Sequence, residues 1–229
     1  ELRNLKPSGR SWPSKGLYVT FRKAISADNQ ENLNAIPRKQ RAMVRKGMEA
    51  GLQSRWDGGI VDFYNAYSQS VHALGTPVFS RRYFEILRDV FKDHSRILTI
   101  TKDDRTVASV LSFYFRDEVI PYYGGGTAEA RGLKANDFMY WELMRRSADE
   151  GIRSFDYGRS KQNSGSYSFK KNWGFEPQPL HYEYYLVNGD SIPEVNPNNP
   201  KYQRLIRLWQ KLPLKATQLV GPHIVKYLG

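Results

Sequence analysis

The chain has 229 residues, 40% hydrophobic and 14% aromatic, enough for a sizeable core and too apolar for a disordered polymer. Cysteine is absent, which excludes a disulfide framework and thiolate chemistry at a metal or nucleophile. The 35 Lys and Arg outweigh the 23 Asp and Glu by a formal +12, which favours polyanionic partners such as nucleic acid, anionic lipid headgroups or diphosphates. A basic surface that serves only solubility is the alternative.

Residues 1–16 read as an irregular leader broken by Pro7, Gly9, Pro13 and Gly16, without the apolar stretch of a signal peptide. The chain starts at Glu1, so it is expected to be part of something longer. Leu17–Arg22 reads as a strand, and a helix is expected from Pro37 to Glu49 with Gly51 as its stop. Two further helices follow from apolar spacing over residues 60–74 and 80–92. The texture then turns β-rich: "RILTIT", "TVASVLSFYFR" and "EVIPYYGGG", separated by charged turns, predict an antiparallel meander. A helix is expected from a cap at Asn136 or Asp137 to Glu150, with Trp141, Met144 and Ala148 on its apolar face. "IRSFDYG" reads as a strand, "SYSFKKNWG" as a short helix and "HYEYYLV" as a last strand. "NGDSIPEVNPNNP" reads as a linker, followed by two amphipathic helices broken at Pro213 and at Gly221-Pro222. The sum is an α/β (α+β) layout with a mixed, largely antiparallel sheet, one long helix across it, and helical extensions. No run reaches the ~18 apolar residues of a membrane span.

Four stretches could carry chemistry. In Tyr122–Phe138 a strand ends in three glycines and leads to a helix N-terminus, where backbone N–H groups with Arg131 and Lys134 could hold an anion; a flexible connection is the alternative. The stretch matches neither a P-loop nor a Rossmann fingerprint. In Arg153–Ser160 a strand carries Asp156 to its end beside Gly158 and Arg159, either for catalysis or to cap a turn or pair with Arg159. In "GSYSFKKNWGFE", Tyr167, Phe169 and neighbouring rings would pin a short helix while Lys170 faces a ligand; a wet helix face is the alternative. Arg38, Arg41 and Arg45 share a helical face that could lie along a nucleic-acid backbone or an anionic membrane, or simply be solvated. No metal site is expected.

In order and spacing these pieces resemble the FemAB family, the Fem-type aminoacyl and peptidyl transferases. The resemblance rests on "IPRKQRAMVRKGMEAG", "YYGGG", "NDFMYWELMRRSADEGIRSFDYG" and "YSFKKNWGF", across about residues 30–188. The tail from Asn199 is similar to that of FemAB-related proteins of exosortase (PEP-CTERM) exopolysaccharide systems. The resemblance implies an acetyltransferase-like (GNAT) fold, with residues 1–59 as leader and end of an incomplete first lobe, 60–188 as the acyltransferase lobe, and 189–229 as linker and helical tail.

It further implies a cytoplasmic enzyme, with any membrane contact at the inner face, that moves an aminoacyl or peptidyl group to an amine of a peptidoglycan or exopolysaccharide precursor. Lys170 would be the stabilising cation, with Tyr167 and Phe169 beside the acyl group and Tyr122, Tyr123 and Arg159 lining the cleft. Asp156 is the candidate general base. The glycine signature of acetyl-CoA binding is absent, since Glu129 stands three before Gly132 and Lys134 replaces the second glycine. The expected donor is therefore aminoacyl-tRNA and no cofactor is expected. A CoA-dependent N-acyltransferase and a non-catalytic module for anions or membrane surfaces are the competing readings.

Overall fold

The computed structural model describes residues 1–187, 189, 191, 192 and 200–227, with the side chains of 200–202 excepted. Strands β1 (Leu2–Asn4), β2 (Ser14–Lys15) and β3 (Tyr18–Ala24) open the chain. Helix α1 (Asn29–Ala35) begins at Asp28, whose side chain accepts from the Gln30 N–H, and α2 (Arg38–Glu49) follows Pro37. After β4 (Gln53–Trp56) come α3 (Ile60–Ala73) and α4 (Arg81–Phe91), the latter capped by Ser80. The meander is β5 (Ser95–Lys102), β6 (Arg105–Phe115) and β7 (Glu118–Gly126). A one-turn α5 (Ala130–Leu133) leads into the long α6 (Ala135–Asp149). Then come β8 (Ser154–Asp156), β9 (Ser160–Lys161), α7 (Gly165–Asn172), β10 (Pro177–Pro179) and β11 (His181–Glu183). The tail forms α8 (Pro200–Lys211) and α9 (Leu214–Val225).

The main sheet has the order β10-β3-β8-β7-β6-β5-β4, with β9 also paired to β3. Its strands pair antiparallel except β7 with β8, so the sheet is mixed, as expected. One face is covered by α6, with α1 and α2 outside it, around a core that includes Phe21, Val44, Leu143, Phe155 and Trp173. Trp141, Met144 and Ala148 are buried there. The other face carries α3 and α4 over Phe63, Phe84, Ile97 and Leu111. Burying both faces explains why β5 and β6 read as near-continuous apolar runs.

Several expectations change. The 1–16 leader is not irregular: β1 and β2 pair with β11 in a separate three-stranded sheet, held by Asn4 and Ser8 donating to the buried Glu183 carboxylate. Strands β3 and β4, which precede residue 60, belong to the same sheet as β5–β8. Helix α6 starts at Ala135, so Asp137 is not its cap but sits in its first turn. Helix α9 runs through Pro222, and Gly221 is buried against Val78. The expected linker falls largely outside the described residues.

As expected the strand ends in the three glycines, β7 closing at Gly126, and packing gives each of the last two a reason to lack a side chain. A Cβ on Gly125 would lie 2.5 Å from Ser70 Cβ and 3.1 Å from Tyr67 Cα, and one on Gly126 would lie 2.4 Å from Ala130 Cβ. The absent side chains let α3 and α5 lie directly on the strand. Gly125→Val is therefore expected to overpack this contact and lower stability by about 1–3 kcal/mol in urea unfolding. An unchanged unfolding midpoint would contradict the stated cause.

Candidate active site

The sheet parts at its centre. Strands β7 and β8 pair over only two residue pairs, Glu118 with Ser154 and Val119 with Phe155. Beyond them β7 pairs only with β6, and Asp156 pairs only with β3. A polar clamp closes the paired end: Arg22 forms an ion pair with Glu118, and both bond to the Ser154 hydroxyl between them. The open end leaves the backbone edge of β7 facing the turn after β8. Unpaired edge groups of this kind are hydrogen-bonding sites for an extended ligand.

At the β8 side of this opening sits Lys170. Ser164 caps α7 by accepting from the Tyr167 N–H, and Trp173 is fully buried at the other end. The helix is thereby fixed with Lys170 inward. Its Nζ donates to the carbonyls of Gly158 (2.9 Å) and Arg159 (3.1 Å) and lies 5.7 Å from the centre of the Phe21 ring. Burial pushes the ammonium down to about 8, against the opposing pull of Asp156. Two of its three N–H donors serve the carbonyls, so one remains for an oxygen of a ligand.

The turn that presents those carbonyls is built by Asp156. Its Oδ1 accepts from the Gly158 N–H (2.7 Å) and from the Thr20 hydroxyl (3.0 Å), and Gly158 takes a φ of +69°. Of the two alternatives for Asp156, the turn cap is thus the arrangement found. Tyr167 packs edge-on to Phe21 at 5.4 Å, and Phe169 joins Tyr140, Tyr157 and Trp173 in a cluster of rings. Lys170, Asp156, Tyr167 and Phe169 are therefore brought together.

The other expected residues are not. A bulge in β7 leaves Tyr122 between the pairs Leu111–Tyr123 and Ser112–Pro121. Tyr123 consequently joins Tyr67, Phe79, Tyr83 and Phe84 under α4, bonds to the Tyr83 hydroxyl (2.9 Å), and is held strongly un-ionised by burial and that bond. Tyr122 is exposed against Phe113. Arg159 stacks on Tyr18 at 4.5 Å and donates to the Tyr182 hydroxyl, which turns it toward the small sheet. Arg131 is exposed, and Lys134 bonds to the Arg131 carbonyl at the entry to α6. On α2, Arg38 and Arg45 are exposed and Arg41 bonds to Asn34, while Gly47 packs against Phe138.

Three features were not singled out from the sequence. Asp137 Oδ1 accepts from Gln40 and Trp173, which ties α6 to α2 and α7, and burial raises its carboxyl. Tyr157 has a buried hydroxyl with no protein partner in the same ring cluster. Arg3 lies over the Tyr182 ring at 5.4 Å, so two guanidinium groups share one tyrosine. The "DYG" triplet did point to the second; the others depend on distant partners.

The family described as the acetyltransferase (GNAT) domain matches residues 34–171. The chain belongs to that family. The GNAT assignment makes it an acyltransferase-type protein and agrees with the mixed sheet parted between its parallel strands. Among solved structures it is similar to FemX, with a TM-score of 0.66 at 13% identity over 91% of this chain and 67% of that one. It is also similar to the C-terminal domain of a putative lysylphosphatidylglycerol synthetase from Agrobacterium fabrum, with a TM-score of 0.56 at 13% identity over 74% of this chain and 60% of that one. The L-PGS structure from Bacillus licheniformis gives 0.50 at 14% identity, over 88% and 68%. At these identities the likeness is one of fold, and the GNAT chain spans about two thirds of each structure's length. No curated protein matches.

The burial of Lys170 has a measurable consequence. Between about 8 and the ordinary 10.5, the unfolded chain keeps a proton that the folded chain has released. Stability relative to Lys170→Met should therefore be flat below about pH 8 and rise with pH across that window. Urea unfolding of both proteins from pH 7 to pH 10.5 checks this; a pH-independent difference would contradict it.

Proposed function

We propose that the chain is a Fem-type N-acyltransferase that moves an aminoacyl group from aminoacyl-tRNA to an amine of a peptidoglycan or exopolysaccharide precursor. The observation that carries this reading is the buried Lys170 ammonium beside the parted strands. The order of motifs and the fold likeness to FemX support the Fem type. The tail sequence is the support for the narrower exosortase-associated group.

The donor ester lies along the free edge of β7, its carbonyl toward Lys170. The acceptor amine attacks the carbonyl carbon, a C–N bond forms, the C–O bond to the ribose breaks, and the amine's proton ends on the departing ribose oxygen. Charge builds on the carbonyl oxygen, and the remaining Lys170 N–H offsets it in a place where water is largely excluded. Asp156 is a positioning residue: it sets the turn whose carbonyls aim the ammonium.

Preference for aminoacyl-tRNA over acetyl-CoA rests on the entry to α6. In place of a glycine-rich anion turn there is one turn of helix and then Lys134 in a left-handed conformation at φ +57°. Lysine at that point adds a side chain where close backbone approach to a pyrophosphate needs none. A CoA-dependent transfer on the same scaffold is the competing reading.

Lys170→Met is expected to lower kcat for transfer from a charged-tRNA donor by about a hundredfold or more while leaving donor affinity nearly unchanged. Calorimetry with acetyl-CoA should show no tight binding. Wild-type rates in the variant would remove Lys170 from the chemistry, and tight acetyl-CoA binding would overturn the donor.

A further inference from the structure

We infer that α8 and α9 form a docking surface for an anionic lipid bilayer. The tail packs on its own domain by one face: Ile206 touches Gly75, Gln210 donates to the Ala73 carbonyl, and Gln218 donates to the Ser68 hydroxyl, all on or beside α3. The opposite faces remain open. Leu205 and Leu208 on α8 and Leu212 just after it are 55%, 61% and 42% exposed. Their spacing puts them in one stripe, and at 3.6 residues per turn Arg204, Arg207 and Lys211 form the stripe beside it.

Helix α9 repeats the pattern. Leu219, Val220 and Tyr227 at its outer side are exposed, next to Lys215 and Lys226. An open pocket of about 600 Å³ joins α9 to α3 and α4, where Lys215 and Leu219 meet Arg81 and Arg82. The acid there, Glu85, is already paired with both arginines. From residue 203 to 227 the sequence has five Lys or Arg and no Asp or Glu.

An occupant must satisfy both properties. Nucleic acid would match the cations but leave the leucines in water. A second copy would cover the leucines but bring like charges together without an acid on either helix to offset them. An anionic bilayer offers acyl chains for the leucines and phosphates for the cations, the combination that holds amphipathic helices in the interface. No helix of the described residues is long and apolar enough to cross a membrane, so the contact lies at the surface.

The test is sedimentation of the whole chain with vesicles of phosphatidylcholine, with and without phosphatidylglycerol. Binding is expected only with the anionic lipid, weakened about tenfold or more in Leu205→Ser/Leu208→Ser/Leu212→Ser and in Arg204→Glu/Arg207→Glu/Lys211→Glu. Since the chain lacks cysteine, Leu208→Cys gives a single site for an environment-sensitive dye, whose emission should shift to the blue on anionic vesicles. Absence of binding overturns the inference, as does binding that the leucine variant leaves unchanged. A dye shift that follows protein concentration without lipid would instead assign the surface to a second copy and also overturn it.

Discussion

Two parallel strands that stay together for only two residue pairs set the layout of this molecule. Because β7 and β8 part after Val119 and Phe155, the centre of the sheet has a free edge where a continuous sheet would have a ladder. A free edge inside a protein would be costly if nothing satisfied it. Here the parting is stabilised from outside the gap. The Arg22–Ser154–Glu118 clamp fixes the closed end, the bulge at Tyr122 bends β7, and β9 draws the chain after β8 onto β3. The opening is thus a property of the strands and their ends, and the helices pack around it.

Lys170 follows from that geometry. Had β8 continued beside β7, the carbonyls of Gly158 and Arg159 would not turn toward α7. Burying an ammonium is unfavourable, and these two carbonyls with the Phe21 ring offset part of the cost. The remainder appears as the depressed pKa. A cation kept incompletely satisfied responds strongly to new negative charge nearby, which is the electrostatic condition that acyl transfer requires. A fully paired lysine on the surface would contribute far less, because water screens it.

The elements that could be read from the sequence were those specified locally. Helices α2, α3 and α4, and the meander, follow from periodicity and turn residues within each stretch. The misread elements depend on remote partners. Strands β1 and β2 are short and polar, and they exist because β11, nearly the whole chain away, pairs with both. The glycines of β7 answer to the approach of Ser70 and Ala130 from other elements. Within the candidate site, spacing alone left Lys170 open to a wet helix face, and the resemblance of the Tyr167–Lys170 motif was what favoured the inward placing. The turn of Arg159 and Tyr123 away from Lys170 was not legible, since Tyr18, Tyr182 and Tyr83 decide it from other elements.

The central claim is that the Lys170 ammonium, with two N–H groups on the Gly158 and Arg159 carbonyls, turns its third to a donor carbonyl in the opening between β7 and β8. A crystal structure with a non-hydrolysable aminoacyl-adenosine, the terminus of a charged tRNA, tests it most directly. The account predicts the acyl carbonyl oxygen within hydrogen-bond distance of Lys170 Nζ, with the ligand along the β7 edge. A ligand bound elsewhere, with no oxygen of it within hydrogen-bond reach of Lys170 Nζ, would contradict the account.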